Sequence, residues 1–173
     1  MDSVKQIIRD IPDFPKDGIV FKDITPILAD AAAFEKIINT LKERYSGKQI
    51  HKVVGVEARG FIFASALAYA LNAGTTMVRK PGKLPYKTYQ ETYSLEYGTD
   101  TIEIHQDAFH ENERIILIDD VLATGGTLAA TVNLIRNNFK NVAIEEAAFL
   151  IELDFLNGRE KLQGTPIHSL IHY

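Results

Sequence analysis

The sequence contains no cysteine, which excludes disulfide bonds, cysteine-based zinc sites and thiol catalysis. No apolar run approaches the roughly 18 residues that a membrane-spanning helix needs. The N-terminal stretch MDSVKQIIRDIPDF also lacks the apolar core of a secretory signal. An excess of positive charge is missing too, because the formal net charge is −4. We therefore expect a soluble cytoplasmic protein that binds neither nucleic acid nor membranes.

The length of 173 residues suits one domain with a substantial core. No internal repeat, low-complexity tract or linker divides the chain. The simplest division is therefore a single domain over residues 1–173.

Short apolar stretches alternate with stretches of helical periodicity. The predicted buried strands include KVVGVE, RIILI and VAIEEAAFLIEL, and the predicted helices include AAAFEKIINTLKERY, GFIFASALAYALN and GTLAATVNLIRNN. This alternation predicts an α/β fold with a mainly parallel central sheet flanked by helices. YSLEYG and DTIEIHQ predict a hairpin at a partly antiparallel edge, and Lys80–Thr92 predicts a long polar loop before it.

The stretch RIILIDDVLATGGTL, at 114–128, joins a predicted strand to a predicted helix through two aspartates and a run of small residues. Ligands of such sheets bind at the carboxyl ends of the strands, where residues 119–127 are expected just beyond the strand. Backbone N–H groups at the start of the helix can converge on one anion, and the glycines allow the chain to wrap it closely. The spacing matches neither a Walker A loop nor G-x-G-x-x-G.

Carboxylates beside an anion site would repel the ligand unless they face its hydroxyl groups or a metal. A sugar phosphate offers both polarities, since its phosphate suits the small-residue loop and its hydroxyls suit the aspartates. The pattern therefore predicts a sugar-phosphate site formed by Asp119, Asp120, Ala123, Thr124, Gly125, Gly126 and Thr127.

The stretch ILIDDVLATGGTL resembles the phosphoribosyl-diphosphate (PRPP) binding motif of type I phosphoribosyltransferases. Three further segments are similar to the adenine-specific members of that family, and the similarity runs from about Asp10 to the C-terminus in the same order. These segments are FPKDGIVFKDITPIL, VVGVEARGFIFASALA and RKPGKLPYKTYQETYSLEYGTDTIEIHQDA. The resemblance implies the type I phosphoribosyltransferase fold, with a small hood of N- and C-terminal segments. It places a base-binding segment at 1–30 and a flexible catalytic loop with its hairpin at 79–105.

The reaction implied by the resemblance is a pentosyl transfer, in which adenine and PRPP give AMP and diphosphate. The resemblance also implies Mg²⁺ as cofactor, held mainly by PRPP itself and without a direct protein ligand. Arg79 matches an arginine that reaches into a neighbouring subunit in this family, which implies a homodimer.

The same resemblance implies roles for individual residues. Residues 123–127 bind the 5′-phosphate, and Asp119 and Asp120 bind the ribose. Glu96 and Arg59 are the implied catalytic residues, with Glu96 handling the proton on adenine N7. The diphosphate-binding set is Glu57, Ala58, Arg59, Arg79, Lys80 and Lys83. The family often has a non-proline cis peptide bond in this turn, and in this chain it would fall at Glu57–Ala58.

Base recognition is implied for the segment IVFKD. Phe21 would stack on the adenine, while Val20 and Lys22 would present backbone groups to its Watson–Crick edge. Leu153 would press on the opposite face of the base. A backbone carbonyl that accepts the exocyclic amine would reject oxopurines, because an oxopurine leaves that acceptor unpaired.

Two alternatives remain open at this stage. One is a related enzyme that acts on another purine, such as xanthine. The other is a non-enzymatic regulator that senses PRPP on the same fold. The second is disfavoured by the acidic net charge and by the absence of an added DNA-binding module before the purine segment.

Overall fold

The computed structural model describes residues 1–94 and 98–173, which form two compact units. The first unit, Met1–Arg44, contains a hairpin and the helices around it. Asp30 precedes the longest of these helices, and its Oδ1 accepts a hydrogen bond from the Ala33 N–H at 2.9 Å, as a helix-capping aspartate does. The elements are α1 (Asp2–Lys5), β1 (Arg9–Pro12), β2 (Val20–Asp23), α2 (Thr25–Ala29) and α3 (Ala31–Tyr45).

The second unit, Tyr45–Tyr173, contains a parallel sheet, a hairpin and two longer helices. The elements are β3 (Lys52–Val56), α4 (Gly60–Leu71), β4 (Gly74–Val78), β5 (Thr88–Ser94), β6 (Thr99–His105), β7 (Arg114–Leu122), α5 (Gly126–Asn138), β8 (Ala143–Glu152) and β9 (Ile167–His172). The five strands of the parallel sheet lie in the order β4-β3-β7-β8-β9. Two short 3₁₀ turns, Asp154–Leu156 and Gly158–Leu162, follow β8.

The central strand β7 is covered on both faces, which explains its unbroken apolar run. Residues 115–118 are all at most 1% exposed. Ile115 and Leu117 belong to the core cluster that also contains the apolar side chains of α5. Helix α4 packs close to β3 and β7, because Gly55 has no side chain where a Cβ would lie 2.8 Å from the Ala64 Cβ. The predicted α/β fold with helix-flanked sheet is therefore confirmed.

The antiparallel pairing lies in two hairpins, β1–β2 and β5–β6, outside the parallel sheet. The second hairpin joins the end of β4 through a single bridge between Arg79 and Glu103. The loop predicted over Lys80–Thr92 is shorter than expected, because Thr88–Thr92 already pairs with β6. These residues are polar, but they include threonine and tyrosine, which favour strands. Gln90 Nε2 also donates a hydrogen bond to Oε1 of buried Glu103 on the neighbouring strand.

Strand β7 extends past the predicted RIILI segment. Val121 and Leu122 still pair with Ile151 and Glu152 of β8, so the strand ends at Leu122. The expectation that both aspartates lie beyond the strand was therefore wrong, because Asp119 and Asp120 are part of it. The division into a base-binding segment at 1–30 and a flexible loop with hairpin at 79–105 stays a prediction.

None of the helices within the described ranges is both long and apolar enough to cross a membrane.

Candidate active site

The loop between β7 and α5 surrounds a cavity of about 100 Å³. One water molecule occupies about 30 Å³ of liquid volume, so the cavity has room for a group larger than water. Gly125 has φ +74° and provides the N-terminal cap of α5, whose first backbone N–H groups have no acceptor within the helix. The cavity is lined by Asp119, Val121, Leu122, Ala123, Thr124, Gly125, Gly126, Thr127, Leu128 and Phe149.

The two adjacent aspartates of β7 differ in their surroundings, and only Asp119 lines this cavity. Asp119 lines the cavity, and its Oδ1 accepts a hydrogen bond from the backbone N–H of Asp120 at 2.9 Å. Burial, together with the negative charge of Asp120, raises the pKa of the Asp119 carboxyl well above its ordinary value. Asp120 is 5% exposed and forms an ion pair with Arg59. The pair of carboxylates therefore favours a ligand that brings hydroxyl donors or a cation.

Replacing Asp119 by asparagine is expected to stabilise the fold at neutral pH and to weaken the binding of ribose 5-phosphate. Because the folded-state pKa of Asp119 is raised, the wild type loses stability as the pH rises from the ordinary aspartate value through that raised pKa. Asparagine does not titrate, so its advantage grows over the same pH window. Urea unfolding of both proteins between about pH 4 and pH 8 measures this difference.

Asp120→Asn is the matched control for this prediction. It removes the charge that pairs with Arg59 as well as the charge that helps to raise the pKa of Asp119, so the two effects oppose each other and we expect a smaller gain in stability than in Asp119→Asn. An Asp119→Asn protein that is less stable than the wild type at pH 8, or that has the same pH dependence, would contradict the prediction.

Arg59 reaches this site from the turn between β3 and α4. The Glu57–Ala58 peptide bond in the same turn is cis, as the resemblance implied. Arg59 Nε donates to Asp120 Oδ2, and the Arg59 side chain remains 44% exposed. Gly60 allows this approach, because a Cβ there would lie 2.8 Å from the Ile118 carbonyl oxygen and 2.9 Å from Asp119 Oδ1. The turn thus brings an accessible guanidinium next to the two carboxylates.

The side chain of Glu57 holds the start of the loop after β4. Its carboxylate accepts hydrogen bonds from Arg79 Nε at 3.1 Å, from Arg79 Nη2 at 3.2 Å and from the Lys80 backbone N–H at 2.9 Å. The hydrogen bonds from Arg79 lower the pKa of Glu57 more than burial raises it. Arg79 also donates to the Lys83 carbonyl at 3.2 Å, whereas the Lys83 side chain is exposed. Arg79 is therefore bound to Glu57 of its own chain.

Lys80 connects this loop with the hairpin. Its ammonium group forms an ion pair with Asp100 and lies 6.0 Å from the centre of the Tyr93 ring. The hydrogen bond from Lys80 lowers the pKa of Asp100 despite burial. In this structure two of the predicted diphosphate-binding cations, Arg79 and Lys80, are thus held by carboxylates, and their diphosphate role stays a prediction.

Tyr93 and Gly158 contact the cavity loop and were not predicted from the sequence. Tyr93 Oη lies 3.0 Å from Thr127 Oγ1 and 3.1 Å from Asp100 Oδ2. The backbone of Gly158 packs against Ala123 and Gly125. A Cβ on Gly125 would collide with the Gly158 carbonyl oxygen, and a Cβ on Gly158 would collide with the Ala123 carbonyl oxygen. Both residues are distant from the loop in sequence, so local patterns could not reveal them.

The residues predicted to bind the base lie in different parts of the chain. Val20, Phe21 and Lys22 belong to β2, where Phe21 packs edge-on against Phe14 at 5.2 Å between ring centres. Lys22 Nζ donates to Asp10 at 2.7 Å. Leu153 directly follows β8 and donates its N–H to the Leu122 carbonyl at 3.0 Å. Their role in binding adenine stays a prediction. Glu96 lies outside the described residues.

The chain matches the model of the phosphoribosyl transferase domain over residues 21–145. The structure agrees with this match, because the central strand of its parallel sheet carries two aspartates and the helix that follows is capped by a glycine. The chain is therefore a phosphoribosyltransferase. The adenine phosphoribosyltransferase of Geobacter metallireducens is 57% identical over 173 residues, which covers all of both chains. By this relationship the chain belongs to the adenine phosphoribosyltransferase family.

Solved structures agree with this assignment. The adenine phosphoribosyltransferase of Thermoanaerobacter pseudethanolicus is 49% identical, with a TM-score of 0.94 and coverage of 99% of both chains. The Saccharomyces cerevisiae enzyme, complexed with an imino-altritol bisphosphate and adenine, is 38% identical, with a TM-score of 0.89. That similarity covers 96% of this chain and 95% of the yeast chain.

Proposed function

We propose that the protein transfers the 5-phosphoribosyl group of PRPP to N9 of adenine, giving AMP and diphosphate and so salvaging a free purine. The observation that carries the proposal is the cavity in which Asp119 lies beside the glycine-opened start of α5. One end of this cavity suits a phosphate and the other suits ribose hydroxyls. Adenine as the base rests on the names of full-length relatives that are more than half identical to this chain.

In the proposed reaction the bond from C1 of the ribose to diphosphate breaks while N9 of adenine attacks C1. Positive charge develops on the ribose, so the site must stabilise an oxocarbenium-like transition state with charges placed in advance. Asp119 lines the cavity and Asp120 follows it on β7, and in the proposed site negative charge from this pair beside the ribose favours that transition state. Arg59 remains accessible for the negatively charged leaving group.

The remaining proposed roles follow the family motifs. Residues 123–127 bind the 5′-phosphate, and Glu96 exchanges the proton on adenine N7. The diphosphate is bound by residues 57–59 together with Arg79, Lys80 and Lys83. Since Glu57 holds Arg79, and Asp100 holds Lys80, diphosphate would replace a carboxylate partner on each of these cations when it binds. The base is bound by Val20, Phe21, Lys22 and Leu153.

Magnesium fits the residues around the cavity as an ion carried by PRPP. Burial and the neighbouring charge raise the pKa of Asp119, so a cation brought close to this carboxyl favours its charged form. Asp120 is already paired with Arg59, which leaves Asp119 as the carboxylate available to a Mg²⁺ complex. When bound, Mg²⁺ would neutralise part of the charge on the leaving diphosphate.

We further propose a homodimer, because apolar side chains are exposed on neighbouring elements of the second unit. Ile62 and Tyr69 of α4 are 43% and 90% exposed, and Met77 of β4 is 43% exposed. A second copy of the chain packed on this surface would bury them. Sedimentation equilibrium should give twice the chain mass, and Ile62→Glu should shift the protein towards single chains. A wild-type protein that sediments as a single chain at micromolar concentration would contradict the dimer.

A base panel tests the proposed reaction. Purified protein, PRPP and Mg²⁺ are incubated separately with adenine, hypoxanthine, guanine and xanthine, and nucleotide and diphosphate are quantified. We expect AMP and diphosphate in equal amounts with adenine and little product with the oxopurines. Product from an oxopurine but not from adenine would refute the base assignment, and PRPP binding without product from any base would favour a regulator. The cytoplasmic location expected from the sequence stays a prediction.

A further inference from the structure

The 3₁₀ turn Gly158–Leu162 lies against the phosphate loop, defined here as residues 123–127. A Cβ on Gly125 would collide with the Gly158 carbonyl oxygen. A Cβ on Gly158 would collide with the Ala123 carbonyl oxygen and lie 3.0 Å from Leu122 Cδ1. The two segments therefore touch through their backbones. Their spacing depends on whatever fixes the position of Gly158.

Arg159, the next residue, fixes that position through a two-pronged ion pair with Glu152. Arg159 Nε lies 2.5 Å from Glu152 Oε1, and Nη2 lies 2.6 Å from Oε2. Such a fork-to-carboxylate arrangement defines orientation as well as distance. The ion pair therefore holds the start of the turn in one place.

Glu152 is a rigid anchor for this ion pair. It is the last residue of β8, is 4% exposed, and pairs in the sheet with Leu122 on one side and His172 on the other. Ser169 of β9 donates a hydrogen bond to Glu152 Oε2 at 2.5 Å. Burial raises the pKa of Glu152, but the hydrogen bonds from Arg159 and Ser169 outweigh it, so the pKa lies below its ordinary value. The carboxylate therefore stays charged at neutral pH.

The far end of the turn is held separately. Leu162 is 3% exposed within the core cluster of the second unit. Arg136 of α5 donates to the Gly164 carbonyl at 2.9 Å and lies 3.1 Å from Thr165 Oγ1.

The start of the turn is also held by backbone hydrogen bonds from the Asn157 N–H to the Asp154 carbonyl and from the Glu160 N–H to the Asn157 carbonyl, both at 3.1 Å. Loss of the Glu152–Arg159 ion pair would thus leave the turn in place but remove the side-chain contact that orients its first residues, which are the ones that contact the phosphate loop.

We propose that the Glu152–Arg159 ion pair positions the phosphate loop through Gly158, and so acts as a positioning element for the 5′-phosphate without contacting it. The backbone of Gly158 supports Ala123 and Gly125 from outside the cavity and keeps the loop N–H groups directed at one point. This inference rests on the proposed function, since it takes the phosphate loop to bind the 5′-phosphate of PRPP.

The test compares Arg159→Ala with Arg114→Ala by calorimetric titration with ribose 5-phosphate and by thermal unfolding. Arg114 is a matched control, because it forms an ion pair with Glu145 at 3.1 Å at the opposite ends of β7 and β8. The two arginine side chains are also similarly exposed, at 42% and 46%. If only Arg159→Ala weakens ribose 5-phosphate binding, the cause is therefore the location of its ion pair beside the phosphate loop and not the loss of an ion pair as such.

We expect Arg159→Ala to raise the Kd for ribose 5-phosphate about tenfold or more, since loss of one hydrogen bond to a charged group costs about this much in affinity. Arg114→Ala should leave that Kd within about twofold, although both variants lose stability. Arg159→Lys, which keeps the charge but not the fork, should give an intermediate Kd. If Arg159→Ala does not fold, the Kd of Arg159→Lys tests the inference in its place.

An unchanged Kd in the folded Arg159 variants would overturn the inference, and so would an equal loss of binding in Arg114→Ala. The wild-type base panel separates this result from the proposed function. If the wild type makes AMP and the Arg159 variants bind ribose 5-phosphate normally, the inference alone fails. If the wild type makes no product from any base but the variants still weaken binding selectively, the proposed reaction fails and the inference stands.

Discussion

Gly125→Ala is expected to raise the Kd for ribose 5-phosphate by about 10²-fold, which corresponds to losing one or two hydrogen bonds to the charged phosphate. Gly125 has φ +74°, a conformation that costs an ordinary residue about 1–2 kcal/mol. The added Cβ would also collide with the carbonyl oxygen of Gly158, which is backbone and cannot rotate away. The loop must therefore shift, and its backbone N–H groups no longer point at one phosphate position. Calorimetric titration with ribose 5-phosphate measures the change.

Gly47→Ala is the matched control, because it has the unfavourable backbone conformation of Gly125→Ala without the steric collision. Gly47 has φ +82°, but a Cβ there would meet no atom within 4 Å. We expect this variant to lose about 1–2 kcal/mol of stability and to bind ribose 5-phosphate like the wild type. Normal binding by Gly125→Ala would show that the loop can take up the extra methyl group, and the proposed geometry of the phosphate site would be wrong.

Glu96→Ala is expected to lower kcat by about 10²–10⁴, the usual contribution of a placed acid–base group. The proposed role of Glu96 is to exchange the proton on adenine N7 as the charge on the purine changes during attack. That role concerns the transition state more than the binding of PRPP, so the Kd for PRPP should be largely kept. Steady-state kinetics with adenine and titration with PRPP together measure both quantities.

Glu91→Ala is the matched control for this prediction. Glu91 lies on β5 of the same hairpin and is assigned no role in the reaction. We expect its kcat to remain near the wild-type value. An unchanged kcat in Glu96→Ala would remove Glu96 from the mechanism, and a large loss in both variants would point to a disturbed hairpin instead.

The local parts of the site could be predicted from the sequence. Small residues after an apolar strand predicted the anion loop, and the structure starts α5 at Gly126 as the motif indicated. The length of β7 was predicted less well. Charged Asp119 and Asp120 looked like the end of the strand, whereas pairing of Val121 and Leu122 with β8 continues it past them.

The contacts between distant segments could not be predicted. Gly158 contacts Ala123 and Gly125 from more than thirty positions further along the chain, and Tyr93 contacts Thr127 from the hairpin. The partners of the loop cations were missed as well, because a lysine- and arginine-containing loop gives no sign of which carboxylate it will meet. Arg79 binds Glu57 and Lys80 binds Asp100 only once β3, β4 and β6 have been brought together by folding.

The most direct test of the account is a crystal structure of the protein with bound AMP. The account predicts the 5′-phosphate within hydrogen-bonding distance of the backbone N–H groups of residues 124–127. It also predicts the ribose hydroxyls next to Asp119 and Asp120. An AMP phosphate bound elsewhere on the protein, with the cavity between β7 and α5 left to solvent, would contradict it.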